Sequence, residues 1–270
     1  MFQDEYTDIA YYARAKAEFL KNNVIGYFIA AMLAGLFVGF GVLISYTVGG
    51  LLSGLPYAKI VMGASFTAAL SLVVMAGSEL FTGVNLVCTA GYMKRSITML
   101  DAVKILGVCY VGNWVGSIML ATFFHFSGLN SGYTAKYIIE ASFVKTSIAP
   151  VELIIRGVLC NMLVCLATWC TARCKTESGK LTMFFWCIYT FVIVGFEHSV
   201  ANMSLLTISL FSADGISFSG YFYNIFLATF GNMLGGIFFI GMPYYIISKR
   251  VKSRISSHKT VHLVRAKKTE

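Results

Sequence analysis

The chain has 270 residues, of which 57% are hydrophobic and only 12% charged, with a formal net charge of +9 and a mean hydropathy of +0.74. A soluble domain carries about 25% charged residues, so this chain has too little polar surface for a water-facing globule and a soluble protein is excluded. A transmembrane β-barrel would alternate over short segments, whereas runs such as Val24 to Leu52 are unbroken. The fold class is therefore all-α and membrane-spanning. In chain order, residues 1–23 read as an amphipathic helix along the cytoplasmic surface, with Ala10, Ala13, Ala17 and Leu20 on one face. They are too polar for a cleavable signal. Hydropathy then places six spans near 24–50, 57–92, 102–127, 150–172, 181–211 and 220–248, a transmembrane domain of residues 24–248. Residues 249–270 form a basic tail.

All Lys and Arg except Lys59, Lys136, Lys145 and Arg156 fall on one side of these spans. Cytoplasmic loops carry the basic excess, so both termini face the cytoplasm and the span number is even. The tail lacks aromatic residues for base stacking, and nucleic acid is set aside as a partner. Six of the seven cysteines lie within spans, without a Cys-x-x-Cys pair, and read as small packing residues.

Spans two and five break their apolar pattern alike. Gly77 precedes Glu79 in the first and Gly195 precedes Glu197 in the second. The next spans carry Gly112-Asn113-Trp114-Val115-Gly116 and Gly231-Asn232-Met233-Leu234-Gly235. The halves are thus repeats offset by about 118 residues. Three spans per half is an odd number, so the repeats are inverted, with broken helices at spans two and five and a binding site near the bilayer midplane.

Ionisable groups at membrane depth are functional candidates by default. Glu79 and Glu197 read as braces that accept hydrogen bonds from free N–H groups at the start of the next half-helix, with substrate contact as the alternative. His198 follows the second break directly and can hold or lend a proton. Thr82 is its near-equivalent in the first half. Lys145 stands where outer basic residues are scarce and would concentrate anions there, unless it is an ordinary loop lysine. Lys16 could match it on the inner side. Arg156 reads as snorkelling or pairing at a subunit contact, and Asn161 as a further polar residue at depth. Phe66, Leu70 and Phe191 form a candidate apolar ring on the inner side, with Leu80 and Val164 on the outer. Such stripes are usually core, yet apolar constrictions also gate channels. A membrane-embedded enzyme using Glu197 and His198 as acid and base would need a nucleophile or metal cluster, which the pattern does not offer. No cofactor or metal is expected. An aquaporin-type channel would need paired Asn-Pro-Ala motifs, and the three prolines supply none.

Four segments, AGSELFTG (76–83), KTSIAP (145–150), RGVLCNMLVCLA (156–167) and GFEHSVANM (195–203), resemble the formate/nitrite transporter family, and the likeness extends over essentially the whole chain. The resemblance implies a homopentamer of aquaporin-like, right-handed six-helix bundles, each with its own pore, moving small monovalent anions across a bacterial inner membrane. It implies a central site of Thr82 and His198 supported by Glu197, Asn161 and Asn202. It further implies an inner constriction of Phe66, Leu70 and Phe191, an outer one of Leu80, Phe81 and Val164, and vestibule lysines Lys145 (outer) and Lys16 (inner). The loop after Ala76 would be a gating loop and the N-terminal helix a pH-linked cap. Gly83 and the Cys160–Cys165 run look most like the nitrite branch, though hydrosulfide and formate channels share these motifs. An anion entering this low-dielectric path is expected to take a proton, directly or through His198, and to cross as a neutral acid. The alternative is a simple anion channel in which neutral His198 donates a hydrogen bond.

Overall fold

The computed structural model describes residues 1–249, and the regular structure among them is helical. Helix α1 (Gln3–Asn22) leads into α2 (Val24–Leu51). Two stacked helices, α3 (Ala58–Phe66) and α4 (Ala68–Met75), then stop short of α5 (Phe81–Met93). After α6 (Met99–Phe126) come the short α7 (Gly132–Thr146) and the long α8 (Pro150–Arg173). The second half continues through α9 (Glu177–Val194), α10 (Ser199–Leu210) and α11 (Phe218–Leu234). A π-helical stretch (Gly235–Gly241) joins α11 to α12 (Met242–Ser248). Six helical stretches are long and apolar enough to cross a bilayer: 24–51, 58–75, 99–126, 150–173, 177–194 and 218–248. They match the six expected spans in number and order; spans two and five, expected to run to 92 and 211, stop as continuous helices at 75 and 194, and α5 and α10 cover the remainder. The expected basic tail beyond Lys249 lies outside the described residues.

Local chemistry sets the ends. Thr98 and Asp101 form a reciprocal capping box at the start of α6, and Pro150 opens α8, where a missing N–H does no harm. Without a hydrophobic force between helices in lipid, close packing depends on small residues. Helices α2 and α6 meet through Gly35, Gly112 and Gly116. A Cβ on Gly116 would run into the Met32 carbonyl, and one on Gly35 into the Asn113 carbonyl.

Helix α1 departs from expectation. Its apolar face packs on α5, α2 and α6 rather than being left for a lipid surface. Tyr6, Ile9, Ala10, Ala13 and Leu20 are buried, whereas Ala17 is only partly so. The Tyr6 hydroxyl donates to the Gly241 carbonyl at 3.0 Å, and the Ser96 hydroxyl to the Ala10 carbonyl at 2.8 Å. The apolar face that suggested a membrane surface is satisfied by protein instead, because Gly91 leaves room for Ala13.

The chain is not helical between Met75 and Phe81, nor between Val194 and Ser199. Gly77 (φ 74°) and Gly195 (φ 87°) take left-handed backbone there, a conformation open to glycine at little strain. Backbone freed at this depth must be paired within the protein, and both breaks solve that identically. The Glu79 N–H donates to the Ala30 carbonyl and the Glu197 N–H to the Arg156 carbonyl, each at 3.2 Å. Asn113 Oδ1 accepts the Phe81 N–H, and Asn232 Oδ1 the Ser199 N–H, each at 2.9 Å. Asn113 Nδ2 reaches the carbonyls of Ala31 and Glu79, both at 2.8 Å. Asn232 Nδ2 reaches those of Gly157 and Glu197, at 2.8 and 2.9 Å. One asparagine thus ties three strands of backbone at each break. These amides, not the glutamate side chains, serve the start of the next half-helix, which corrects the expected brace role of Glu79 and Glu197.

Replacing Asn113 by Leu leaves a donor and two acceptors unpaired and should destabilise the fold by at least about 2 kcal/mol. Asn232→Leu should do the same at the second break. Thermal unfolding of the detergent-solubilised protein measures both, and an unchanged midpoint would refute the clamp. Gly116→Val should cost about 1–3 kcal/mol through overpacking, read as earlier loss of a monodisperse species on heating.

Candidate functional site

Each break carries its glutamate to a lysine. Lys16 Nζ contacts both Glu79 carboxylate oxygens, at 2.5 and 2.6 Å, and the Tyr27 hydroxyl approaches the second at 3.4 Å. Lys145 Nζ donates to Glu197 Oε1 at 2.7 Å, while Asn202 Nδ2 donates to Oε2 at 2.6 Å. Asn202 also donates to Asn224 Oδ1 at 2.7 Å, and Asn224 Nδ2 to the Lys145 carbonyl at 2.9 Å. The second pair therefore belongs to a closed ring joining α7, α10 and α11. Burial without such partners would be prohibitive for either charge.

Between the two pairs lies His198, the N-cap of α10 and 2% exposed. Its Nδ1 accepts the Ala201 N–H at 3.1 Å, so that nitrogen bears no proton. The ring is neutral, and Nε2 carries the hydrogen. Nε2 lies 3.1 Å from Thr82 Oγ1, to which it donates, leaving the hydroxyl proton of Thr82 free to donate in turn. The helices that start at the two breaks thus bring together residues far apart in the chain. Thr82 is not the register mate of His198. The cap of α5 is Leu80, so Leu80 matches His198, and Thr82 faces it from two residues further along.

A cavity of about 450 Å³ opens beside His198, lined among others by Lys145, Glu197, Phe66, Phe191, Tyr46 and Tyr137. Lys59 and Arg156 line it too, against Glu140, so its charge balance is cationic. Arg156, expected to snorkel or to pair at a subunit contact, pairs with Glu152 of its own helix at 3.5 Å and borders the cavity. The Phe191 ring stacks on His198 with centroids 5.8 Å apart and meets Phe66 edge-on at 5.8 Å. Phe66 and Phe191 therefore stand at the Lys145 end. Leu80 adjoins Glu79 and with it Lys16. The sequence assignment put Phe66, Leu70 and Phe191 opposite Lys145; the two phenylalanines share its cavity instead, while Leu70 is buried without lining it. Hydropathy marks a ring but not the end of the pore it guards.

Among the remaining expected residues, Val164 is buried in α8 beside Cys165, whose thiol reaches the Thr82 carbonyl at 3.4 Å. Phe81 turns its ring onto Tyr110 of α6, centroids 5.0 Å apart. Asn161 donates to the Asn232 carbonyl at 2.6 Å. All seven cysteines are free thiols. Among the described residues no cluster of His, Cys, Asp or Glu could hold a metal. Sequence reasoning missed Asn224 and Lys59. Asn224 carried the same signal as Asn161, an amide inside an apolar helix, while Lys59 looked like any loop lysine.

The sequence profile described as formate/nitrite transporter matches residues 4–246. The nitrite transporter NirC of Salmonella typhimurium is 36% identical over 249 residues, covering 91% of each chain. A solved FNT family ion channel superposes with a TM-score of 0.87 at 34% identity, over 92% of this chain and all of that one. A pentameric formate channel with formate bound gives 0.75 at 27% identity, over 84% of this chain and 98% of that one. These relatives are transporters and channels rather than enzymes. Matched from α1 through α12 in sequence and in fold, the chain belongs to the formate/nitrite transporter family.

Proposed function

We propose that the protein carries a small monovalent anion, nitrite first, across the bacterial inner membrane. The pore runs through each protomer of a homopentamer, with both termini cytoplasmic. The single observation that carries the reading is the order of groups along one path: a Lys145–Glu197 pair, aromatic residues, the His198–Thr82 contact, Leu80, and a Lys16–Glu79 pair. The nitrite-transporting relative supports the substrate, the pentameric neighbour supports the assembly, and the basic excess of the termini supports the orientation. The three-span halves and their matched clamps support the inverted repeat. Formate is the second reading, favoured by the formate-bound neighbour.

The physical problem is a charge that must pass apolar rings. In the cavity, Lys59, Arg156 and the remaining N–H groups of Lys145 draw the anion in. Further along, the falling dielectric disfavours its charged form and it takes up a proton. The neutral acid then slips past Phe66 and Phe191 and meets the Thr82 hydroxyl. Because Nδ1 of His198 is engaged in capping α10, an imidazolium would forfeit that cap. The proton therefore comes with the solute, and His198 acts as a neutral donor that orients Thr82. At the far end the acid gives its proton to water, and the positive charge of Lys16 favours the anion that is released.

Liposomes holding the protein and a pH-sensitive dye should take up nitrite faster than formate or hydrosulfide, with the internal pH falling in step. Uptake without a pH change would overturn proton-linked passage. His198→Phe should lower flux at least about tenfold, or about 1.4 kcal/mol of barrier. His198→Asn keeps a cap acceptor without a titratable ring and should retain proton-accompanied flux, whereas its loss would make the imidazole the proton donor. Lys145→Gln strands Glu197 as an unpaired anion and should cut flux about tenfold. Adding Glu197→Gln should restore part of it, and a double variant as slow as the single would refute the charge-pair role.

A further inference from the structure

Away from the pore, on the flank where α1 meets the starts of α2 and α6, a second cavity of about 770 Å³ opens, larger than the one beside His198. Arg14, Lys21 and Lys104 line it against Glu18 and Asp101. Both carboxylates are already engaged. Glu18 pairs with Arg14 at 2.9 Å, and Asp101 accepts the Thr98 N–H and hydroxyl at 3.0 and 2.7 Å in the capping box of α6. Lys21 and Lys104 are exposed and have no ion-pair partner among the described residues. Two free cations thus share a cleft far roomier than a small monovalent anion would fill.

This cavity leads towards lipid. Val24 and Val108 line it and also line an apolar groove of about 410 Å³, completed by Phe28, Gly107 and Val111 on the seam of α2 and α6. Both helices are long and apolar enough to span a bilayer, and Val24 and Val111 are 55% and 50% exposed, so the groove opens outwards from the bundle. Gly107 gives it depth. Gly112 and Gly116 on the same helix press against α2, but a Cβ on Gly107 would meet nothing within 4 Å, and its backbone is not left-handed. Neither packing nor conformation asks for a glycine there, although glycine inside a helix costs about 1 kcal/mol against alanine. The missing side chain keeps the groove open.

We infer that this cleft binds one anionic glycerophospholipid, with its phosphate against Lys21 and Lys104 and an acyl chain along the groove at Gly107. Basic pockets between membrane helices hold such headgroups, and here the pocket opens directly onto an apolar channel. A zwitterionic lipid fills the groove equally well but brings its own ammonium towards the lysines. The site does not depend on which anion the pore carries. It ties α1, which delivers Lys16 to Glu79, to the flank of α6.

The test titrates phosphatidylglycerol and phosphatidylethanolamine into the detergent-solubilised full-length protein, with bound lipids and subunit number read from one native mass spectrum. Wild type should bind its first phosphatidylglycerol at least about fivefold more tightly than phosphatidylethanolamine. In the double variant Lys21→Gln, Lys104→Gln that preference should fall to within about twofold. Lys175→Gln with Lys180→Gln, which removes two charges from the start of α9 and the turn before it, should keep it. Gly107→Leu fills the groove and should weaken phosphatidylglycerol at least about fivefold, with the thermal midpoint in lipid-free detergent unchanged. A wild type without preference, a Lys21/Lys104 variant that retains it, or a Lys175/Lys180 variant that loses it overturns the site. A Gly107→Leu protein that binds lipid as before refutes the groove. One that loses subunits with its lipid preference intact gives the groove to a second copy of this chain and overturns the inference too.

Discussion

Everything in this fold turns on what becomes of backbone hydrogen bonds when a helix is interrupted inside an apolar slab. With no water to take over, each freed N–H or C=O needs a protein partner. Asn113 and Asn232 supply part of it, each binding two backbone groups at the start of the next half-helix and a carbonyl of a neighbouring helix at once. Once that is done, the geometry of the site follows. The half-helices start at fixed places, Glu79 and Glu197 are delivered to their lysines, and Thr82 is brought within a hydrogen bond of His198. The close glycine contacts of α6 on α2 and of α11 on α8 hold the clamps in reach of their carbonyls.

The site also shows how a buried charge is kept without being made inert. Both oxygens of Glu197 are occupied, one by Lys145 and one by Asn202, so the carboxylate is satisfied before any solute arrives. Lysine has three donors and spends one on this bond. On the proposed reading it offers a solute hydrogen bonds at short range more than a long-range field, and the wider attraction falls to Lys59 and Arg156 at the cavity wall.

Much of the architecture was legible in the residues themselves. Span number and limits follow from apolar runs, because the bilayer sets their length. The breaks announce themselves as Gly two places before Glu, and the paired asparagines as motifs at matching distance. The side chains' directions were not legible. Nothing in the string told that Glu79 would bind Lys16 in place of the next half-helix, or that α1 would be covered by protein. Phe66 and Phe191 were assigned to the wrong end for the same reason, since hydrophobicity carries no sign along the membrane normal. Asn224 lies in an apolar helix two turns before the clamp residue Asn232. A single amide there cannot reveal from sequence whether it will serve a neighbour or a guest.

The clamps have a consequence for how the chain is made. Lys16, Ala30, Ala31, Glu79, Phe81 and Asn113 all lie before residue 127, and Lys145, Arg156, Gly157, Glu197, Ser199, Asn202, Asn224 and Asn232 all lie after residue 131. For these bonds neither break borrows a partner from the other half. The first three spans can thus settle into the bilayer with these bonds already made while the ribosome is still producing the fourth. What then remains is the packing of one half on the other, with the Thr82–His198 contact drawn across the seam. A gene arising by duplication would have inherited this independence from an ancestor of half the length.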